Sequence, residues 1–183
     1  PRASGASSAS LFFGSTRSGS VSTSSGAAAQ ATRPKSNEKT VRAHCMSDLL
    51  HQLIMSSAER HGDRPAIKDG GRESTYADLA GVVRKTAAGL AGAGMQRFTR
   101  VGVFLPKSTD TVFAFFSTAM GGGIFVPINP LLKAKQVAHI LEDSGAEILI
   151  TSADRLVALQ AELDACPEVK TLVTVDNPPA EPF

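Results

Sequence analysis

A few places in this chain combine residue types that can do chemistry. Gly121-Gly122-Gly123 stands before an apolar strand, and glycine-rich turns let backbone N–H groups approach a phosphate closely. A phosphate cradle also needs a lysine, hydroxyl side chains and a strand-then-helix order. Here the glycines close a helical pattern, a strand follows, and no lysine comes directly after. Gly89, Gly92 and Gly94 suggest a dinucleotide fingerprint, but their spacing differs from Gly-x-Gly-x-x-Gly and they too close a helix rather than open one. Lys107-Ser108 lie at a strand-to-helix junction suited to an anion, although N-capping accounts for Ser108 without a ligand. His51 and His61 have no partners at ligand spacing and read as surface residues. Cys45 and Cys166 are 121 positions apart (166 − 45) with no Cys-x-x-Cys, so two unpaired thiols in a reducing compartment are expected, not a disulfide scaffold or a zinc site. Spacing therefore assigns no catalytic, cofactor-binding or metal-binding residue.

The elements around these places alternate. Ser47 is a suitable N-cap, and Leu49, Leu50, Leu53, Ile54 and Ala58 recur at helical spacing as far as about Arg60. Arg64 to Asp69 and Arg72 to Thr75 read as a small hairpin turned by Gly70-Gly71. Thr75 then caps a long helix whose apolar face is Tyr76, Leu79, Val82, Val83, Ala87 and Leu90, with Asp78 favouring its positive end. Arg100 to Leu105 is a buried-type strand, and Ser108 is the expected cap of a helix rich in Phe113, Phe115, Phe116 and Met120. Such a surface reads as a core helix rather than a cofactor box. Strands are then expected at 124–128, 147–151 and 171–175, with helices at 133–143 and 153–165 between them. Helices of about a dozen residues between short apolar strands predict βαβ crossovers. The fold class is accordingly α/β, a largely parallel sheet with flanking helices and a small N-terminal hairpin.

Composition sets the outer bounds. With 183 residues, 42% apolar and 20% charged, the chain has room for about one domain. The formal charge of +2 hides a division, because residues 1–45 carry four Arg and two Lys against Glu38, or +5, which leaves −3 for the rest (2 − 5). A nucleic-acid footprint belongs on the folded part, so none is expected. No apolar run reaches the roughly 18 residues of a membrane-spanning helix. Residues 1–45 are Ser-, Ala- and Gly-rich and too poor in large apolar residues to offset their ordering entropy, so a disordered tail is expected. Its Ser and Arg enrichment fits a transit peptide, which would place the protein in an organelle. The sharp change at Met46 and the lack of Met at position 1 favour the other reading, a natural start at Met46, upstream sequence before it, and a cytoplasmic protein. Residues 177–183, Asn-Pro-Pro-Ala-Glu-Pro-Phe, read as a truncated linker.

Residues 46–176 resemble the N-terminal part of the AMP-forming acyl-CoA synthetases, in the adenylate-forming superfamily. Ser74-Thr-Tyr-Ala-Asp-Leu79 is similar to that family's Thr-Tyr-x-x-Leu helix start, after a Pro-Ala-Ile hairpin. Met120-Gly-Gly-Gly-Ile-Phe-Val-Pro-Ile-Asn-Pro130 resembles its Gly-Gly-x-x-Val-Pro-Ile-Asn-Pro joint, and Gln136 to Leu141, then Ser144-Gly-Ala, follow in the same order. Phe104-Leu-Pro-Lys-Ser108 falls where the family has Leu-Pro-Asn-Ser. The segment from Pro130 to Leu141 is most similar to acyl-CoA ligases associated with bacterial exosortase systems.

The resemblance implies an ATP-dependent ligase that activates a carboxylic acid, fatty in class, as an acyl-adenylate and passes it to coenzyme A. It implies ATP, Mg²⁺ and coenzyme A for the full-length enzyme, with the remainder of the synthetase chain as partner. The phosphate loop, the ribose-binding acid and the mobile lysine of that family are not found in this chain, so the portion here is expected to be inactive and to bind none of these cofactors tightly. The alternative is a non-catalytic α/β binding or interaction module, since fold does not dictate function.

Overall fold

The computed structural model describes residues 49–176 and the pair Ser7–Ser8. Apart from that pair, the tail expected at 1–45 and the linker at 177–183 lie outside the described residues, as does Ser47.

The first helix, α1 (Gln52–His61), buries only Ile54 fully. It begins later than the periodicity predicted. Leu49 and Leu50 sit in the turn before it, and with Leu53 they stay 40% to 54% exposed because α1 meets its neighbours through Ile54, Met55 and Ala58. Strands β2 (Pro65–Asp69) and β3 (Arg72–Thr75) form the predicted hairpin. Its turn needs positive φ at both central positions, and Gly70 (53°) and Gly71 (84°) adopt it without steric cost.

Helix α2 (Tyr76–Gly92) starts on a capping box. Thr75 Oγ1 accepts from the Asp78 amide at 3.2 Å, and the Thr75 amide donates to Asp78 Oδ2 at 3.1 Å. The Thr75 hydroxyl and then its amide, both donating to the carboxylate, hold Asp78 below its ordinary pKa. Leu79, Ala80, Val83, Thr86, Ala87 and Leu90 form the buried face.

Strands β4 (Arg100–Phe104), β5 (Ile124–Pro127), β6 (Ile148–Thr151) and β7 (Thr171–Thr174) are parallel, in spatial order β7-β6-β4-β5. The two-residue strand β1 (Ser7–Ser8) pairs parallel with Thr171 and Leu172 at the β7 edge. Helices α3 (Thr109–Met120), α4 (Ala134–Ser144) and α5 (Ala153–Leu163) make the crossovers.

Strand side chains alternate between two cores. Val101, Val103, Leu105, Ile148, Ile150 and Val173 point to the face that holds Leu90 and Ala114 of α2 and α3. Phe104, Leu149 and Ile128 point to the opposite face, against Val137 and Leu141 of α4 and Leu159 of α5. Gly102 lies between, and a Cβ there would come within 2.7 Å of Leu141 Cδ2, so its small size lets α4 approach the sheet. A third cluster joins α1 and the hairpin to the outer side of α2 and α3 through Ile54, Leu79, Val83 and Phe113.

At the β5 edge, Ile124 and Ile128 donate to Thr99 and Val103 on the β4 side. Alternation turns the nitrogens of Phe125 and Pro127 outward, and Pro127 has no N–H to offer. That edge is blunted against further pairing.

Candidate functional site

The glycine joint is a helix terminus, as its sequence order predicted. Gly121 N donates to Ser117 O at 3.0 Å and Gly123 N to Thr118 O at 2.9 Å, so two of the amides that a cradle would use close the last turn of α3 instead. Gly122 has φ +81°. A Cβ on Gly121 would collide with Met95 Cε, and one on Gly123 would lie 3.0 Å from Met95 Sδ and 3.1 Å from Thr99 O. The joint therefore excludes side chains so that the end of α3 can sit on the residues leading into β4. Beside it Phe98 donates its amide to Gly122 O at 2.8 Å while holding φ +68°, unusual for an aromatic residue, with the Arg97 guanidinium 4.7 Å from its ring centre. The Ser117 and Thr118 hydroxyls are buried without hydrogen-bond partners among the described residues.

Helices begin at the opposite end of the sheet, and polar side chains converge there. Ser108 occupies the N-cap position of α3 but makes no side-chain cap bond, contrary to expectation. Asp69, arriving from the hairpin, accepts instead from Thr109 N at 3.1 Å and Thr109 Oγ1 at 3.0 Å, since a carboxylate is a stronger acceptor at a positive helix end than a hydroxyl. At α5 the same role falls to Asp176, whose Oδ1 accepts from Ala153 N at 2.8 Å. At α4 the Lys133 amide donates to Gln136 Oε1 at 3.1 Å. The Thr151 hydroxyl donates to Phe104 O at 2.9 Å and ties the exits of β6 and β4.

Arg155 crosses this end. From the first turn of α5 its guanidinium lies 4.5 Å from the centre of the Phe104 ring, and Nη1 donates to Pro130 O at 2.9 Å. It thus reaches from the exit of β6, over the exit of β4, to the chain leaving β5. Asn129 Oδ1 steadies that exit by accepting from Leu131 N at 3.0 Å. The connection from β4 runs to β5 on one side and that from the adjacent β6 runs to β7 on the other, which makes the β4–β6 boundary a topological switch point, where open α/β sheets bind ligands.

At the N-termini of α3 and α5 the carboxylates of Asp69 and Asp176 stand where the phosphates of a nucleotide would be attracted, and the glycine joint presents the carbonyl end of α3. The cleft between α2, α3 and β7, lined by Thr86, Asp110, Phe113, Ile150, Val173 and Val175, measures about 20 Å³, enough for about one water. Among the described residues no group of three or more His, Cys, Asp or Glu is placed to hold a metal. No helix among them is long and apolar enough to cross a membrane. Cys166 is buried, and loss of solvation, with the Glu142 charge second, pushes its thiol pKa up.

A family model described as AMP-binding enzyme matches residues 54–183. The chain is 36% identical over 107 residues to syringomycin synthase SyrB1 of Pseudomonas syringae pv. syringae, covering 58% of this chain and 17% of that protein. It is 31% identical over 137 residues to 4-coumarate--CoA ligase of Pinus taeda, covering 72% of this chain and 24% of that protein. The chain therefore spans about a quarter or less of the length of either relative. The crystal structure of the anthranilate CoA ligase AuaEII in complex with anthranoyl-AMP shares the fold, with a TM-score of 0.69 and 24% identity over 74% of this chain and 26% of that one.

Proposed function

Because the chain belongs to the AMP-binding enzyme family, we propose that it is the N-terminal portion of an adenylate-forming ligase that uses ATP to activate a carboxylic acid and transfers the acyl group to coenzyme A. The observation that carries this proposal is the family match across residues 54–183, which runs through the capped start of α2, the glycine joint and the parallel sheet in one order. The relative named as a 4-coumarate--CoA ligase supports the acyl-CoA branch, while relatives named as peptide synthetases support the wider adenylate-forming reading. A fatty acid is the proposed substrate. Mg²⁺ would accompany the ATP.

Within such a ligase this chain supplies structure to the site, not the groups that handle phosphate. The α3 and α5 N-termini are capped by carboxylates, which disfavours a triphosphate at either of them. The chain alone should therefore fail to exchange pyrophosphate into ATP with any carboxylic acid, whereas the same chain extended to the length of its relatives should do so. Turnover by the isolated chain would overturn the division of labour. No carboxylate-dependent exchange by the extended protein would overturn the enzyme proposal and leave the non-catalytic module in its place.

A further inference from the structure

Arg155, at the carboxyl end of the sheet, is a cation that the fold holds in place from two sides. The Phe104 ring supports one face of its guanidinium, and Pro130 O fixes Nη1. A guanidinium carries five donor hydrogens, and a single fixed bond leaves at least one complete two-donor edge. None of its nitrogens is among the described atoms that are both buried and unpartnered, so the unused donors reach solvent. No described carboxylate lies within ion-pair distance of it, in contrast to Lys170, which bonds Glu147 at 2.8 Å at the other end of the sheet.

We propose that Arg155 anchors a carboxylate at the switch point between β4 and β6, taking its two oxygens on the free edge of the guanidinium. Stacking and the bond to Pro130 prepay the ordering of a long side chain, which ordinarily weakens exposed ion pairs. The planar fork matches a carboxylate in geometry. Charge decides against a polyphosphate. Asp176 caps the same helix two residues away at Ala153, and Asp154 adjoins Arg155 in sequence, so a multiply charged anion would meet like charges. The inference goes beyond the ligase proposal and does not rest on it, because binding here requires no adenylation.

The test is a titration of the 183-residue chain with benzoate, with sodium pyrophosphate and with sodium chloride at matched ionic strength, read from the Arg155 Nε–H signal in ¹H–¹⁵N spectra. Benzoate should shift that signal saturably, with a midpoint of about millimolar, and chloride should not. The midpoint should rise at least tenfold in Arg155→Gln. Arg155→Lys, which keeps the charge without the fork, should fall between the two. Circular dichroism of both variants establishes that they fold, and the wild-type titration stands on its own if either does not. Unsaturable shifts, equal shifts with chloride, or an unchanged midpoint in a folded Arg155→Gln would overturn the proposal. Tighter binding of pyrophosphate than of benzoate would overturn the assignment to a carboxylate.

Discussion

The two ends of the parallel sheet are built by different means. At the amino end, where helices finish and strands begin, the chain turns on backbone shape: Gly94, Gly122 and Gly145 adopt positive φ, and Gly121 and Gly123 lack side chains so that α3 can rest against Met95. At the carboxyl end, where strands finish and helices begin, turns are held by side chains. Asp69, Asp176, Gln136, Thr151 and Arg155 each bond backbone or hydroxyl groups there. One end fails when an atom is added, the other when an atom is removed. Groups able to recognise a ligand gather at the second, because orphan helix N–H groups demand polar side chains and the topology brings these together.

Substitutions can break this contrast or sharpen it. The largest effect is expected from Gly122→Val at the amino end, where a β-branched residue would be forced to φ +81°. It should lower stability by about 3 kcal/mol in urea unfolding, with no measurable ATP binding before or after. A neutral Gly122→Val would show that the amino end is not governed by backbone shape. Asp69→Ala should cost about 1–2 kcal/mol by removing the acceptor at the start of α3. Ser108→Ala should stay within about 0.5 kcal/mol, as expected for a residue making no cap bond. If the two costs were reversed, the cap would belong to Ser108.

Phe98→Gly should work in the opposite direction and stabilise the chain by about 1 kcal/mol, since φ +68° suits glycine and not phenylalanine. The smallest effect concerns pH. Asp78 has a depressed pKa in the folded chain, so its contribution is complete above its unfolded value near 3.8 and is lost as pH falls through the lower folded value. Thr75→Val removes the hydroxyl that contributes most, so the stability gap between wild type and variant should be constant at neutral pH and narrow in strongly acid solution to the part due to the lost bond from the Asp78 amide. A gap unchanged by acid would place the depression elsewhere.

What the sequence disclosed followed from distance along the chain. Thr75 and Asp78 are three residues apart, and the Gly70-Gly71 turn is adjacent in sequence, so local chemistry specified both. Alternation of apolar strands with helical stripes was enough for the parallel sheet, and the glycine joint announced itself as a helix end through its order relative to the strand. The carboxyl end was illegible for the converse reason. Asp69 reaches Thr109 across 40 residues, Arg155 reaches Pro130 across 25 and Asp176 reaches Ala153 across 23, and no periodicity marks such pairs. Ser108 drew the capping expectation because it was the nearest acceptor in sequence, whereas the fold delivered a stronger one. The early start expected for α1 failed differently: Leu49 and Leu50 continue the apolar stripe, but the core they would meet begins only at Ile54.

The remote caps also set an order in time. Asp69 precedes α3 in the chain, so during synthesis its carboxylate is already made when the first turn of α3 leaves the ribosome, and the hairpin can receive the helix as it forms. Asp176 follows α5, so that helix waits uncapped until β7 has been made and laid beside β6. A ribosome stalled shortly before Asp176 would therefore hold α3 with its cap in place and α5 with a bare amino terminus. Protection of the Thr109 and Ala153 amides against hydrogen exchange in such stalled chains would read out that sequence of events directly.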